Sequence, residues 1–172
     1  ALPISDIVRE IKKRGHKIFL DLKLHDIPNT VKSAMKVLAG LDVDMTNVHA
    51  AGTKMMMEWA LEGLHTGACA EGTADESCSD GDGPLLIGVT QLTSTDQKRM
   101  NEEILIPGDI NDVVVNYAKI VKQAGLAGVV CSPLEAGAIK QACGEDFVTV
   151  TPGIRFGGAM ICDQSRITTP AK

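Results

Sequence analysis

Five short apolar segments alternate with amphipathic ones, and this pattern predicts an α/β fold in which a parallel sheet is covered by helices. Polar residues follow the ends of the apolar segments: Asp21 and Lys23, His49, Thr93, Ser132 and Arg155. Chemistry drawn from the C-terminal ends of several strands is the habit of a (β/α)8 barrel. No G-x-G-x-x-G or Walker pattern follows any strand, so a nucleotide-binding open sheet lacks its usual support. A complete barrel takes about 250 residues. A chain of 172 residues is therefore expected to form one partial TIM-barrel domain, 1–172, with five of the eight strands.

The elements follow in order. Residues 5 to 14 read as a helix with Ser5 as N-cap, Val8 and Ile11 on one face, and Gly15 as its stop. Lys17 to Leu22 is the first strand. Pro28 cannot extend a ladder but suits a first helical turn, and the helix after it carries Val31, Ala34, Met35 and Leu38 on one face up to Gly40. "DMTNVHA" is the second strand and Thr53 to about Gly67 the next helix, in which the methionines at 55–57 serve packing. "PLLIGVTQL" is the third strand. Residues 92–109 read as a long polar loop. From 110 to 124, Ile110, Val113, Val114, Tyr117, Ile120, Val121 and Ala124 trace one helical stripe that Gly125 ends. "AGVVCS" and "FVTVTPGI" are the last two strands, with a helix near 135–142 between them.

Charge and composition exclude several classes of function. The net charge is −5, and the segment 71–83, "EGTADESCSDGDG", carries five acids and no base. That segment reads as an acidic loop insertion, and the rest of the chain balances to neutrality. No basic stripe suited to nucleic acid is visible. The hydrophobic content is 44% and the mean hydropathy +0.07, and no apolar run reaches the roughly 18 residues of a membrane span. The N-terminal residues show no signal-peptide pattern. Five cysteines without a C-x-x-C argue for reduced thiols and a cytoplasmic setting. His65 and Cys69 stand at i, i+4 with Cys78 nearby, but no fourth ligand follows at zinc spacing, so no metal site is assigned.

The informative stretch is "KIFLDLKLHDIPNTV", residues 17–31, where Asp21, Lys23 and Asp26 follow an apolar run. Alternation along a strand turns Asp21 and Lys23 to the same side, about 6.6 Å apart along the chain, within reach of a salt bridge. On the residues alone, a structural ion pair with a helix-capping Asp26 and a catalytic array both stay open. Burial of Lys and Asp is uncommon, and a buried pair contributes little to stability, which favours the catalytic reading. A lysine flanked by carboxylates can deliver a proton.

"FLDLKLHDIPNTV" resembles the signature of the orotidine-5'-phosphate decarboxylase family, and "IGVTQLTS" (87–94), "VTPGIR" (150–155) and "DQSRITTPA" (163–171) agree with it in order and kind. The resemblance runs over essentially the whole chain and is nearest to the bacterial branch. It implies a cofactor-free decarboxylation of orotidine 5'-monophosphate to uridine 5'-monophosphate. Lys23 would be the proton donor, with Asp21 beside the departing carboxylate and Asp26 reaching the partner's site across a homodimer. Ile27, Pro28, Asn29 and Thr30 would belong to the substrate site with Asp26. Thr93 would hydrogen-bond the pyrimidine, and Arg155 and Gln164 would bind near the phosphate under a loop from Phe156 to Asp163. The family's first two strands would precede Ala1 and its last would follow Lys172, so a non-catalytic partial barrel is one alternative. The other is a magnesium-dependent relative sharing D-x-K-x-x-D, such as 3-keto-gulonate-phosphate decarboxylase or hexulose-phosphate synthase. The run Ile27-Pro28-Asn29-Thr30 favours the pyrimidine enzyme over it.

Overall fold

The structure is a computed structural model that describes residues 3–68, 83–155 and 168. Its elements run α1 (Ile4–Lys13), β1 (Phe19–Leu24), α2 (Pro28–Ala39), β2 (Met45–His49), a 3-10 turn (Ala50–Gly52), α3 (Thr53–Ala68), β3 (Leu85–Val89), α4 (Gln97–Glu102), α5 (Ile110–Gln123), β4 (Gly128–Val130), α6 (Ala136–Cys143) and β5 (Val148–Val150). The strands form one parallel sheet in the order β1-β2-β3-β4-β5. A doubly wound sheet reverses its strand order at a switch point. Here the order never reverses, so right-handed crossovers lay successive helices on one face and the sheet curls as a barrel wall. The described residues supply five strands of that barrel, as the sequence predicts.

Alternation divides the strands into two faces. Leu20, Thr46, Leu86, Gly88 and Val129 lie on the helix side, where Thr46 to Leu86, Val48 to Gly88 and Gly88 to Val129 are register partners. Against them pack Val31 and Met35 of α2, Met56, Met57 and Leu64 of α3, Val114 and Val121 of α5 and Ile139 of α6, all 1% exposed or less. Each fully buried side chain of this size contributes about 1.5–3 kcal/mol by leaving water. Thr46 is a buried polar exception, and its hydroxyl donates to the Leu20 carbonyl at 3.0 Å. Glycines set how closely the layers approach. A Cβ on Gly88 would strike Val121 of α5, and one on Gly63 or Gly67 of α3 would overlap the carbonyls of Lys32 and Lys36 in α2.

Four details differ from the sequence reading. The helix α1 starts at Ile4 with Pro3 as N-cap, so Ser5 lies inside the first turn and makes no cap hydrogen bond. Val8 of α1 is buried, but Ile11 joins Ile4 and Ile7 on an exposed side. The strand β1 starts two residues later than expected and runs two residues further, to Leu24, so that Lys23 as well as Asp21 lies within it. Residues 92–109 contain a short helix, α4, capped by the Asp96 carboxylate, which accepts from the Arg99 amide at 2.8 Å. Only Met100 of α4 is buried, so no periodic stripe announces it. The expected terminator Gly15 does follow α1 in a left-handed conformation, φ +79°, and Gly125 follows α5 at φ +85°. Of the acidic insertion, residues 71–82 lie outside the described residues.

The α2–α3 contact yields a prediction with its own control. Gly63→Ala should destabilise the chain by about 1–3 kcal/mol through overpacking, read as a lower urea midpoint. Gly137→Ala, in α6 where a Cβ meets open space, should leave stability unchanged or raise it by up to about 1 kcal/mol. Equal effects at both positions would show that the α2–α3 approach is not close.

Candidate active site

The opposite face of the sheet is concave, and the C-terminal ends of its strands enclose a cleft of about 320 Å³. Small-molecule pockets span roughly 300–1,000 Å³. Phe19, Asp21 and Lys23 of β1 stand on its wall. Val89 of β3, Val130 of β4 and Val150 of β5 supply the apolar part, and Gln91, Thr93 and Ser94 supply polar groups from the turn after β3. That turn is held in shape by the Thr95 amide donating to the Leu92 carbonyl at 2.9 Å and by the Arg99 guanidinium donating to the Ser94 carbonyl at 3.1 Å.

Asp21 and Lys23 meet on this wall. The Lys23 ammonium donates to both carboxylate oxygens of Asp21, at 2.6 and 2.7 Å. Their side chains are 47% and 37% exposed, so screening limits the pair to about 1 kcal/mol or less of stability. Its value is therefore positional. Burial pushes the Asp21 carboxyl upward, but hydrogen bonds from Lys23 and Asn47 outweigh it and hold the carboxyl below its ordinary value. His49, at the end of β2, is half-buried. Burial lowers its imidazole first, and the neighbouring His25 and Lys23 lower it further against the opposing pull of Asp21. The His25 and His49 rings lie 5.4 Å apart.

The pair is reached by a route that simple alternation does not foresee. Leu20 pairs with Thr46 and Leu24 with Val48, so β1 spends four residues where β2 spends two. The two-residue excess falls on the stretch between Leu20 and Leu24, and Lys23 takes the left-handed region at φ +52°. For a residue other than glycine that conformation costs about 1–3 kcal/mol. Because the excess is even, Leu20 and Leu24 both still pack toward the helices. Opposite the irregularity stands Asn47, which is 0% exposed. Its carboxamide oxygen accepts from the Lys23 amide at 2.7 Å, and its Nδ2 donates to Asp21 at 2.6 Å.

The other expected site residues are dispersed. Asp26 is exposed beyond β1, and its carboxylate accepts from the Ile27 amide at 2.6 Å rather than lining the cleft. Ile27 is 68% exposed, Pro28 opens α2 and Asn29 and Thr30 are exposed in its first turn. Thr93 lines the cleft. Arg155 follows Gly153 (φ +91°) beyond β5; its amide donates to the Thr168 carbonyl at 2.9 Å and its guanidinium to the Ile154 carbonyl at 3.1 Å. Gln164 and residues 156–163 lie outside the described residues. The sequence does not single out Asn47, Gln91 or Ser94, and the buried Cys131 also lines the cleft. A polar residue inside the apolar run "MTNVH" was the available signal for Asn47, since a buried amide demands partners. Among the described residues no three His, Cys, Asp or Glu gather as a metal site would require; His65 is exposed, and Cys69 and Cys78 lie outside them. Likewise, among the described residues no helix is long and apolar enough to cross a membrane.

An ammonium fixed by a carboxylate on the wall of such a cleft can donate a proton to a group seated against it, while Thr93 and Gln91 can hydrogen-bond a polar ring. The family described as "Orotidine 5'-phosphate decarboxylase / HUMPS family" matches residues 5–172. Among curated proteins, the orotidine 5'-phosphate decarboxylase of Bacillus cytotoxicus is 54% identical over 166 residues, covering 96% of this chain and 66% of that protein. The chain thus spans just under two thirds of that relative's length. The crystal structure of orotidine 5'-phosphate decarboxylase from Lactobacillus acidophilus matches with a TM-score of 0.76 and 40% identity, covering 88% of this chain and 63% of that one. The enzyme of the same name from Pyrococcus horikoshii shares the fold at a TM-score of 0.64 and 22% identity, over 90% of this chain and 62% of that one.

The depressed Asp21 value carries a signed pH prediction. A carboxyl whose folded value lies below its unfolded one stabilises the fold above the unfolded value, near 3.8, and loses that contribution as pH falls through the folded value. Carboxyl-carbon NMR should place the Asp21 midpoint below 3.8. The stability gap between the native chain and Asp21→Asn should be greatest near neutral pH and should close with acidification. A gap independent of pH would contradict the pairing.

Proposed function

From the premise that this chain belongs to the orotidine 5'-phosphate decarboxylase / HUMPS family, we propose that its cleft serves the decarboxylation of orotidine 5'-monophosphate to uridine 5'-monophosphate, with Lys23 as proton donor. The observation that carries this reading is the Lys23 ammonium bonded to Asp21 on the cleft wall. The relatives named orotidine 5'-phosphate decarboxylase favour it over the sugar-phosphate alternative.

In the proposed step the bond between the ring carbon and the carboxylate breaks, carbon dioxide leaves, and the electron pair stays on the ring carbon. That carbon takes a proton from the Lys23 ammonium. The barrier is high because the ring delocalises this charge poorly. An enzyme near the top of the common range lowers its barrier by about 23 kcal/mol. One charge pair at about 4 Å and an effective dielectric near 20 is worth roughly 4 kcal/mol. The remainder comes from charges already in place and from binding energy at the phosphate and ribose. Asp21 fixes the ammonium and places negative charge near the departing carboxylate. Thr93 hydrogen-bonds the pyrimidine, and Arg155 with Gln164 grips the phosphate end. Asp26 acts on the site of a second subunit, with Ile27, Pro28, Asn29 and Thr30 around it. The exposure of Asp26 and Ile27 supports this homodimeric arrangement. The chemistry calls on no cofactor, and the reaction belongs to cytoplasmic pyrimidine nucleotide synthesis.

Lys23→Ala should lower turnover by at least about 10²–10⁴-fold while weakening uridine monophosphate binding far less. Near-normal turnover would remove Lys23 from its role. Calorimetry with uridine monophosphate separates an enzyme from a non-catalytic partial barrel, which would bind nothing. Activity that survives a chelator excludes the magnesium-dependent alternative. Mixing Lys23→Ala and Asp26→Ala subunits should recover part of the activity through hybrid dimers. Hybrids that form and stay inactive would count against a shared site.

A further inference from the structure

We propose that Asn47 is the positioning residue of the site, its carboxamide clasping the Lys23 backbone and the Asp21 carboxylate together so that the ammonium is aimed into the cleft. The inference rests on the reading of Lys23 as proton donor and adds a residue with a distinct, separable task. Three observations meet at this side chain. It is fully buried on the inner face of β2, where an unmatched amide would be costly. Both ends of its carboxamide are in use, the oxygen on the Lys23 amide and the nitrogen on Asp21. It stands opposite the two-residue excess of β1, where the ordinary ladder is interrupted and Lys23 sits in a left-handed conformation.

The chemistry asks for a carboxamide. The position needs an acceptor toward the backbone and a donor toward the carboxylate, from one planar group of this length. Aspartate keeps the acceptor but turns the donor into a second negative oxygen against Asp21. Leucine offers neither, and serine or threonine is too short to reach both. A neutral group also leaves the charge of the Asp21–Lys23 pair intact for the cleft. Fixing backbone and carboxylate from one buried group restricts the arc over which the lysine head can swing, and prearranged geometry is where such sites gain rate.

Besides Asn47, the groups that act on Asp21 are Lys23 on its own strand and His49 on β2, with His25 against His49. None of them can donate to Asp21 and accept from the Lys23 amide at once. Loss of the Asn47 donor leaves those groups in place, so a rise in the Asp21 titration midpoint in Asn47→Leu, which adds no charge, reports on the clasp itself.

The test begins on the native chain. Amide hydrogen exchange should find the Lys23 N–H strongly protected, and exchange at the rate of an open loop would overturn the proposal without any variant. In Asn47→Asp the Lys23 amide should stay protected while the Asp21 midpoint rises and kcat falls on the order of 10²-fold with KM little changed. In Asn47→Leu the protection should be lost as well. A folded Asn47→Asp protein with an unmoved Asp21 midpoint and native kcat would overturn the positioning role. A native chain with no turnover, yet with the protected amide and the shifted midpoint in Asn47→Asp, would instead sink the functional reading and leave the clasp standing.

Discussion

The constraint on which everything else rests is the unreversed order of five parallel strands. Each crossover returns on the same side, so helices crowd one face and the other is left to curve inward. That single fact decides where apolar side chains go, since α2, α3, α5 and α6 can bury residues only against the outer face. It also decides where chemistry can go, because the strand ends and the turns after them converge on one rim. The glycines serve the same layering: Gly88 lets α5 close down onto the sheet, and Gly63 and Gly67 let α3 lie close against α2.

Most of this architecture is legible in the residues. The five apolar runs, Pro28 at the head of a helix and the stripe from Ile110 to Val121 are statements about burial, and burial is what sequence periodicity encodes. The failures lie where burial is not the determinant. The helix α4 is fixed by the Asp96 cap and by Gln97, whose amide nitrogen donates to the Gly108 carbonyl at 2.7 Å, and it buries only Met100. The N-terminus of α1 was placed at a good capping residue, Ser5, although the chain already turns at Pro3. In β1 the charge of Lys23 suggests that the strand has ended at Leu22, whereas the strand runs on to Leu24 and keeps Lys23 within it.

The site is legible in a different measure. Asp21 and Lys23 stand out because charges rarely interrupt an apolar run, and alternation rightly puts them on one wall. What alternation could not supply is the excess of backbone between Leu20 and Leu24, for no glycine marks the left-handed turn at Lys23. The role of Asn47 was hidden for a related reason. A lone asparagine in a strand says that partners exist, but the partners are 24 and 26 residues away and only the fold brings them together. Asp26 and its neighbours are the reverse case: conspicuous in the sequence, they are mostly exposed and stand outside the cleft lining.

The even count of surplus residues in β1 has a corollary. Dropping or adding a single amino acid there would turn the rest of the strand to the opposite face, sending the amine toward the helices and a leucine toward the cavity. The length of this stretch thus constrains the cleft as firmly as the identity of the residues in it.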